Sequence, residues 1–198
     1  MPKYLEFEVS LLGIEPRIWR RFLLKGTVTF EDLHRAIQDA CGWEDYHLYE
    51  FRESKSRKVI ARVPYEDPVE EEHAPDAGKV RLTSHFTRKG AKCVYVYDFG
   101  DGWHHMVELK QVAEMPERFT RRLVDGARAF PPEDCGGVWG YARCLAAVGL
   151  ADAGDFDAED IETTREWLGD WNPEEFDLAT VKKRFDRLVR RSLKGEGG

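Results

Sequence analysis

Apolar and polar side chains alternate along the start of the chain. Over residues 5–11 apolar side chains such as Phe7 take turns with polar ones such as Glu8. This period of two is typical of a half-buried strand. The pattern stops at residues 13–16 and resumes over residues 18–24. The sequence therefore predicts that the chain begins with a β-hairpin.

The first predicted helix follows this hairpin. Thr29 is a favourable N-cap, Asp32 stands three residues later, and Leu33 and Ile37 share one helical face. Gly42 is placed to end the helix, since glycine readily takes the left-handed conformation of a C-cap. The predicted order of elements at the start of the chain is β-β-α.

Four later segments carry strand signals, namely high β-propensity or renewed alternation between turn residues. They are residues 47–52, 57–63, 93–98 and 103–112. Along the last segment, alternation places His105 on the same face as Trp103 and His104 on the opposite face. We therefore expect His105 to point inward and His104 outward.

Helical periodicity dominates the last third of the chain. Helices are predicted from Tyr141 to about Leu150, over residues 158–168, and from Leu178 onward. Asp157 and Gly169 are the expected caps of the middle helix. Strands first and helices later predict an α+β fold, with a β-β-α start, a mostly antiparallel sheet and C-terminal helices packed on it.

A chain of 198 residues is long enough for one domain with a sizeable core. We expect a single domain over 1–198, in which 1–112 are mainly sheet plus one helix and 131–194 are a mainly helical lobe. Residues 64–79 combine prolines with like charges and lack an apolar period. They predict a mobile acidic loop.

Charge and composition exclude several classes of protein. A net charge of −7 argues against strong general attraction to phosphate backbones. No apolar run approaches the roughly 20 residues of a membrane span, and the first residues lack the apolar core of a secretory signal. The four cysteines show no CxxC spacing. We expect a cytoplasmic protein with reduced thiols and no membrane partner.

The densest chemical pattern is the turn over residues 97–105. It holds two carboxylates, Asp98 and Asp101, beside two imidazoles, His104 and His105. Carboxylate and imidazole groups together suit a divalent metal, which would polarise a bound oxygen or activate water. The alternative is structural, with Asp98 capping the turn and His105 buried in the core. The pattern alone leaves both interpretations open.

A second cluster lies on a stiff loop at residues 131–141, where prolines precede glycines. Glu133 and Asp134 are candidates to complete a metal site, with Asp101, His105 and Asp134 as the metal ligands. Cys135 is a candidate nucleophile if its thiolate is stabilised. The alternative is a helix-entry loop whose acids offset the helix dipole. The candidate site cluster consists of Asp98, Asp101, Trp103, His105, Glu133, Asp134 and Cys135.

Basic residues next to aromatic ones indicate a possible nucleic-acid surface. Arg20 and Arg21 follow Trp19, and the final predicted helix carries Lys183 and Arg187. Such mixtures suit base stacking and phosphate contact. Equally, the tryptophan can be a core anchor, and the cations can simply suit the end of a helix. These four basic residues are the candidate nucleic-acid contacts.

Taken together, the motifs resemble a known family over nearly the whole chain, the plasmid pRi-A4b ORF-three-like family. The resemblance implies an α+β protein of bacteria or archaea associated with plasmids and insertion elements, some members of which are labelled resolvase-like passengers. This sequence lacks a recombinase pattern, so that label is not carried over. The matching segments are residues 16–21, 32–34, 37–38, 42–43, 47–51, 97–105, 131–137, 140–141, 167–169, 173 and 176–177.

Two function classes follow, beside a third in which exposed aromatics contact a partner protein. The first is a non-enzymatic binding or interaction protein associated with mobile elements, with nucleic acid as one candidate ligand. The second is a metal-dependent hydrolase in which Asp101, His105 and Asp134 hold a divalent ion while Glu133 or Asp98 acts as base. The common phosphate-loop and HExxH motifs are absent from the sequence.

Overall fold

The computed structural model describes residues 1–64 and 74–185. Within them, seven strands form one antiparallel sheet in the order β4-β3-β5-β6-β1-β2-β7. The strands are β1 (Lys3–Leu11), β2 (Trp19–Lys25), β3 (Tyr49–Glu53), β4 (Val59–Arg62), β5 (Lys92–Tyr97), β6 (Trp103–Glu114) and β7 (Arg121–Ala127). The helices are α1 (Phe30–Cys41), α2 (Gly137–Ala147) and α3 (Ala158–Leu168), with a 3-10 turn at Leu82–Ser84 and helical residues at 178–185. The predicted α+β fold is confirmed.

The predicted β-β-α start is present in detail. β1 and β2 pair as a hairpin, with Phe7 opposite Phe22. At the start of α1 the Thr29 hydroxyl accepts the backbone N–H of Asp32, and the Asp32 carboxylate accepts the N–H of Thr29, which forms a capping box. Gly42 ends the helix in the left-handed conformation with φ of 90°. The local signals were therefore sufficient for this part of the fold.

The interior strand β1 is buried on both faces, whereas its alternation predicts one solvent-exposed face. Its apolar face joins the main core, and Phe7 is fully buried. On the other face Glu8 is also buried, and its carboxylate accepts hydrogen bonds from the guanidinium groups of Arg17 at 2.5 Å and Arg21 at 2.6 Å. The guanidinium groups donate the hydrogen bonds that water would donate to an exposed carboxylate. Glu8 can therefore be buried although it occupies a polar position in the alternating pattern.

Two features near the C-terminal half differ from the prediction. β7 has no counterpart among the predicted strands, because an edge strand rich in charge shows little apolar alternation. α2 begins at Gly137, four residues before the predicted start at Tyr141. Its first turn contains Gly140, where a Cβ would overlap the carbonyl oxygen of Cys135. The glycines that read as loop residues are instead needed for a close approach of two backbone segments.

α1 and the later helices share one core with the apolar face of the sheet. The Tyr95 hydroxyl of β5 bonds Nδ1 of His34 at 2.7 Å and the amide of Gln38 at 3.0 Å, both on α1. Leu168 of α3 and Phe185 lie in the same buried cluster as the sheet residues. A single domain stays a prediction, which this shared core supports.

The predicted acidic loop falls largely outside the described residues, since 65–73 are not among them. Of the part that is described, Ala77 lies fully buried in the core and Asp76 forms an isolated bridge with Arg62. The described end of this segment is therefore fixed to the fold. No helix within the described ranges has the length and apolar character needed to cross a membrane.

Candidate functional site

The turn between β5 and β6 holds the Asp98 carboxylate in place. The backbone of Asp98 is left-handed, with φ of 53°. One carboxylate oxygen, Oδ1, accepts the N–H of Gly100 at 2.9 Å and of Asp101 at 3.3 Å. The other oxygen, Oδ2, faces the imidazole of His47 at 3.6 Å. The turn thus fixes one oxygen and directs the other outward from the sheet.

The proline-rich loop before α2 is held against the ends of α1 and β5. The indole N–H of Trp43 donates to the Pro131 carbonyl at 2.9 Å. The Glu133 carboxylate accepts the backbone N–H of Glu44 at 2.6 Å and the hydroxyl of Tyr97. Burial and the bond to Glu133 both raise the pKa of Tyr97, so this hydroxyl remains a proton donor.

The turn and the loop, which the sequence marked as two separate clusters, lie in direct contact. The Asp101 carboxylate accepts the backbone N–H of Gly136 at 3.0 Å. Gly137 packs so closely on the backbone of Asp101 that a Cβ there would overlap the Asp101 carbonyl. Chain spacing alone did not settle whether the two clusters meet. The tertiary structure brings them together through this contact.

Three side chains from three separate segments converge where the turn and the loop meet. His47 precedes β3, Asp98 follows β5, and Asp134 lies on the loop. Nε2 of His47 is 2.6 Å from Oδ1 of Asp134, and one ligand atom from each residue lies within 4.8 Å of the other two. Asp134 is 58% exposed at its side chain, whereas Asp98 is 12% exposed. We call these three residues the His47 cluster.

The charge of the His47 cluster favours a cation. Burial by itself lowers the pKa of His47, but the hydrogen bond that its imidazole donates to Asp134 and the negative charges of Asp98, Asp134 and Glu133 outweigh burial and raise the pKa. A proton on the imidazole therefore partly offsets the carboxylates. A metal ion bound to Nε2 would take the place of that proton.

His105 lies behind the site, inside the core. Its ring is fully buried among the rings of Trp43, Tyr95 and Phe130, with centroids 5.5, 5.2 and 6.0 Å away. Burial lowers the pKa of His105 to about 3, so it is neutral at pH 7. Among the described residues the three-ligand group contains His47 and Asp98 in place of His105 and Asp101.

Two further residues of the candidate cluster predicted from the sequence, Trp103 and Cys135, are buried in the core. Trp103 is buried, and its ring lies 5.9 Å from that of Trp43. Cys135 is also buried, and a hydrogen bond to Cys144 together with burial raises the pKa of its thiol. A thiol with a raised pKa holds its proton and is a weak nucleophile at neutral pH. The geometry therefore gives no support to Cys135 as a nucleophile.

The four candidate nucleic-acid contacts lie in different environments. Arg20 is buried and donates from Nε to the Ala40 carbonyl at 3.1 Å. Arg21 pairs with the buried Glu8 carboxylate. Lys183 is exposed, and Arg187 lies outside the described residues. The two arginines of β2 thus form internal interactions.

His47 is the functional candidate that the sequence did not assign to this site. In the sequence, His47 belongs only to a predicted strand, residues 47–52, and to segment 47–51 of the family resemblance. Fifty-one residues separate His47 from Asp98 along the chain, so no spacing rule connects them. The signal that was available is that His47 stands at the start of a predicted strand, residues 47–52, next to a loop, and functional groups concentrate on loops.

Comparisons with known proteins agree on one family. The family model described as "Plasmid pRiA4b ORF-3-like protein" matches residues 3–180. The chain is 34% identical over 189 residues to "Uncharacterized protein y4hQ" of Sinorhizobium fredii (strain NBRC 101917 / NGR234), with 92% of this chain and 90% of that protein covered.

A solved structure also matches. It is the crystal structure of the "Protein of Unknown Function MM3350" from Methanosarcina mazei Go1, which is 35% identical to this chain. The TM-score is 0.73, and the match covers 91% of this chain and 98% of that one. The names of the two relatives state no activity. The family match over residues 3–180 confirms the resemblance that the motifs indicated. The chain belongs to the plasmid pRiA4b ORF-3-like family.

Proposed function

We propose that the protein is a binding protein that holds its ligand through a divalent metal ion at His47, Asp98 and Asp134. The observation that carries this proposal is the convergence of one imidazole nitrogen and two carboxylate oxygens, all within 4.8 Å of one another. These groups come from three separate segments of the fold. Their contact therefore requires the folded chain and does not arise from local sequence alone.

The ligand set favours some metals over others. Calcium and magnesium prefer sites built from oxygen alone, whereas an imidazole with carboxylates suits zinc, manganese or ferrous iron. Three protein ligands leave coordination positions for water and for a ligand from solution. The high exposure of Asp134 gives such a ligand access. The metal would thus form the link between this protein and what it binds.

The test is the metal content of protein purified without chelator. We expect close to one ion per chain, measured by elemental mass spectrometry. In the variants His47→Ala and Asp134→Asn, we expect the affinity for the metal ion to fall at least tenfold. The matched control is His104→Ala, which removes an exposed imidazole outside the His47 cluster. Absence of metal from the wild type after titration with zinc and manganese, or equal metal in His47→Ala, would contradict the proposal.

Nucleic acid as the ligand has less support in the geometry. Arg20 and Arg21 form contacts inside the protein, and the His47 cluster is acidic. Phosphate contacts need accessible cations, because counterion release from phosphates supplies most of the affinity. A titration with single-stranded DNA and RNA at low salt decides this point. Binding that weakens with salt and with Lys183→Glu would restore nucleic acid as the ligand.

Metal-dependent hydrolysis is the second candidate, favoured by the solvent access to the His47 cluster. An ion with open positions lowers the pKa of bound water and polarises a substrate oxygen. Turnover of p-nitrophenyl phosphate or acetate that stops with chelator and in His47→Ala would place the protein among enzymes. Turnover indifferent to both would remove this candidate. The association with mobile elements stays a prediction from the family resemblance.

A further inference from the structure

A second region with binding character is a cleft on the side of the molecule where α1 ends. It has a volume of about 630 Å³, which is within the range of small-molecule sites. Its walls come from the end of α1, the segment before α2, and the end of α3 with the chain that follows it. Five aromatic residues line it, namely Trp43, Phe130, Trp167, Trp171 and Phe176.

A buried cation, which has no carboxylate partner in the described part of the chain, lies against this cleft. Arg20 is 3% exposed, because β2 directs it to the core face of the sheet opposite Val9. Its hydrogen bonds go to the backbone carbonyls of Ala40, Trp19 and Ala127. Among the described residues no carboxylate forms an ion pair with it.

The surroundings compensate the charge of Arg20 only in part. Its guanidinium lies 4.9 Å from the ring centroid of Phe130 and 4.3 Å from that of Phe176. Such cation–π contacts offset much less free energy than burying an unpaired charge costs. Burial, together with the charge of nearby Arg184, lowers the pKa of Arg20 to about 10, so it remains a cation at neutral pH.

Arg184 adds a second cation to the same cleft. One of its nitrogens donates to the backbone carbonyl of Asp39 at 3.0 Å, and the side chain lies close to Gly42. Two neighbouring guanidinium groups repel each other unless an anion lies between them. The Asp39 carboxylate, which pairs with Arg121, and the Glu133 carboxylate on the wall of the cleft offset this positive charge in part. With three guanidinium groups against two carboxylates, the base of the cleft still favours one anionic group.

The rim of the cleft carries the opposite charge. Asp170, Glu175 and Asp177 line it and are exposed. The Asp177 carboxylate accepts the backbone N–H of Ala179 and stays ionised, so Asp170, Glu175 and Asp177 are all negative groups near the entrance. A polyphosphate or other polyanion would meet repulsion there. A ligand with one anionic end and an uncharged body would not.

We propose that this cleft binds a small planar molecule with a single carboxylate, whose anionic end lies against Arg20 and Arg184. The aromatic side chains then contact the planar body. Tryptophan rings such as those of Trp167 and Trp171 favour stacked contacts with flat, apolar groups. This proposal is independent of the metal at the His47 cluster, since the cleft residues that carry it are different.

The test uses a matched pair of probes, 2-naphthoate and 2-naphthamide, which share a ring system and differ in charge. Titration calorimetry is expected to show naphthoate binding at least tenfold more tightly than naphthamide. Chelator is included, so that any naphthoate bound through a metal at His47 is removed. Equal binding of the two probes, or no binding of either, would overturn the proposal.

The variant Arg184→Gln is expected to remove most of the preference for naphthoate. The control Arg88→Gln removes an exposed arginine outside the cleft and should leave the preference intact. A full preference in a folded Arg184→Gln protein would overturn the assigned role. Should that variant fail to fold, Trp167→Ala tests the cleft instead, because Trp167 is 53% exposed and its loss should weaken both probes.

Discussion

Two imidazoles at the same end of the molecule show how different two neighbouring regions are. His47 lies at the surface between two carboxylates, and its pKa is raised. His105 lies inside the core among aromatic rings, and its pKa is lowered to about 3. The β5–β6 hairpin supplies both a carboxylate of the first region, Asp98, and the histidine of the second. Residues close in sequence on one hairpin can therefore lie in opposite environments, one at the surface and one in the core.

The largest expected effect comes from breaking the loop that carries the first region. A Cβ at Gly140 would overlap the backbone carbonyl of Cys135, so Gly140→Ala forces the start of α2 away from the loop. We expect a loss of unfolding free energy of about 4 kcal/mol or more, measured by denaturant titration. Metal binding at Asp134 should be lost with it.

Gly154→Ala is the matched control for this substitution. Gly154 has φ of +55° and open space around the added Cβ, so only the backbone conformation is strained. The expected loss is about 1 kcal/mol. Comparable losses in the two variants would show that the close approach at Gly140 is not what fixes the loop.

The next largest effect separates the two histidines directly. His105→Ala removes a ring that packs against Trp43, Tyr95 and Phe130, and we expect a loss of about 3 kcal/mol. The metal content of the His105→Ala variant should equal that of the wild type. His47→Ala should show the reverse, with loss of metal and a stability change below about 1 kcal/mol. Denaturant titration and elemental mass spectrometry on both proteins test this contrast.

Acid should destabilise the protein through His105. Its folded-state pKa of about 3 lies below the ordinary 6.5, so its contribution is present above pH 6.5 and is lost as the pH falls toward 3. Each pH unit in that window costs about 1.4 kcal/mol, hence about 2 kcal/mol between pH 6.5 and 5. His105→Leu has no group to titrate and should lose this part of the slope. An unchanged slope would show that His105 takes up a proton in the fold.

The smallest effect has the opposite sign and belongs to His47. Because its pKa is raised above the ordinary 6.5, its ion pairs stabilise the fold fully below pH 6.5, and this contribution is lost as the pH rises through the folded-state value. In protein kept free of metal with chelator, His47→Gln should therefore cost up to about 1 kcal/mol at pH 5.5 and almost nothing at pH 9. A larger cost at high pH would mean that the imidazole acts as a neutral partner.

Most of the fold could be predicted from local signals, because capping, turns and alternation act over a few residues. As the sequence indicated, α1 is capped by Thr29 and Gly42, and α3 is capped by Asp157 and Gly169. The strand β7 could not be predicted, because its residues lie at the edge of the sheet, where pairing with β2 and not apolar alternation holds them.

The candidate site could be predicted only in part. Asp98 and Asp134 were among the candidates, and both belong to the His47 cluster. The inward orientation of His105 also followed from alternation, yet the same residue was considered as a ligand. Alternation fixes the face of a strand on which a side chain lies, but it does not show which other segments cover that face.

By itself, the sequence determined the family, the order of the elements other than β7 and the face on which the residues of the predicted strands lie, since each depends on residues near one another in the chain. Only the tertiary structure decided that His47 joins Asp98 and Asp134, and that Arg20 lies beneath an aromatic cleft. These contacts depend on segments that are distant in the chain. Packing of the whole core sets their positions, and no local pattern encodes it.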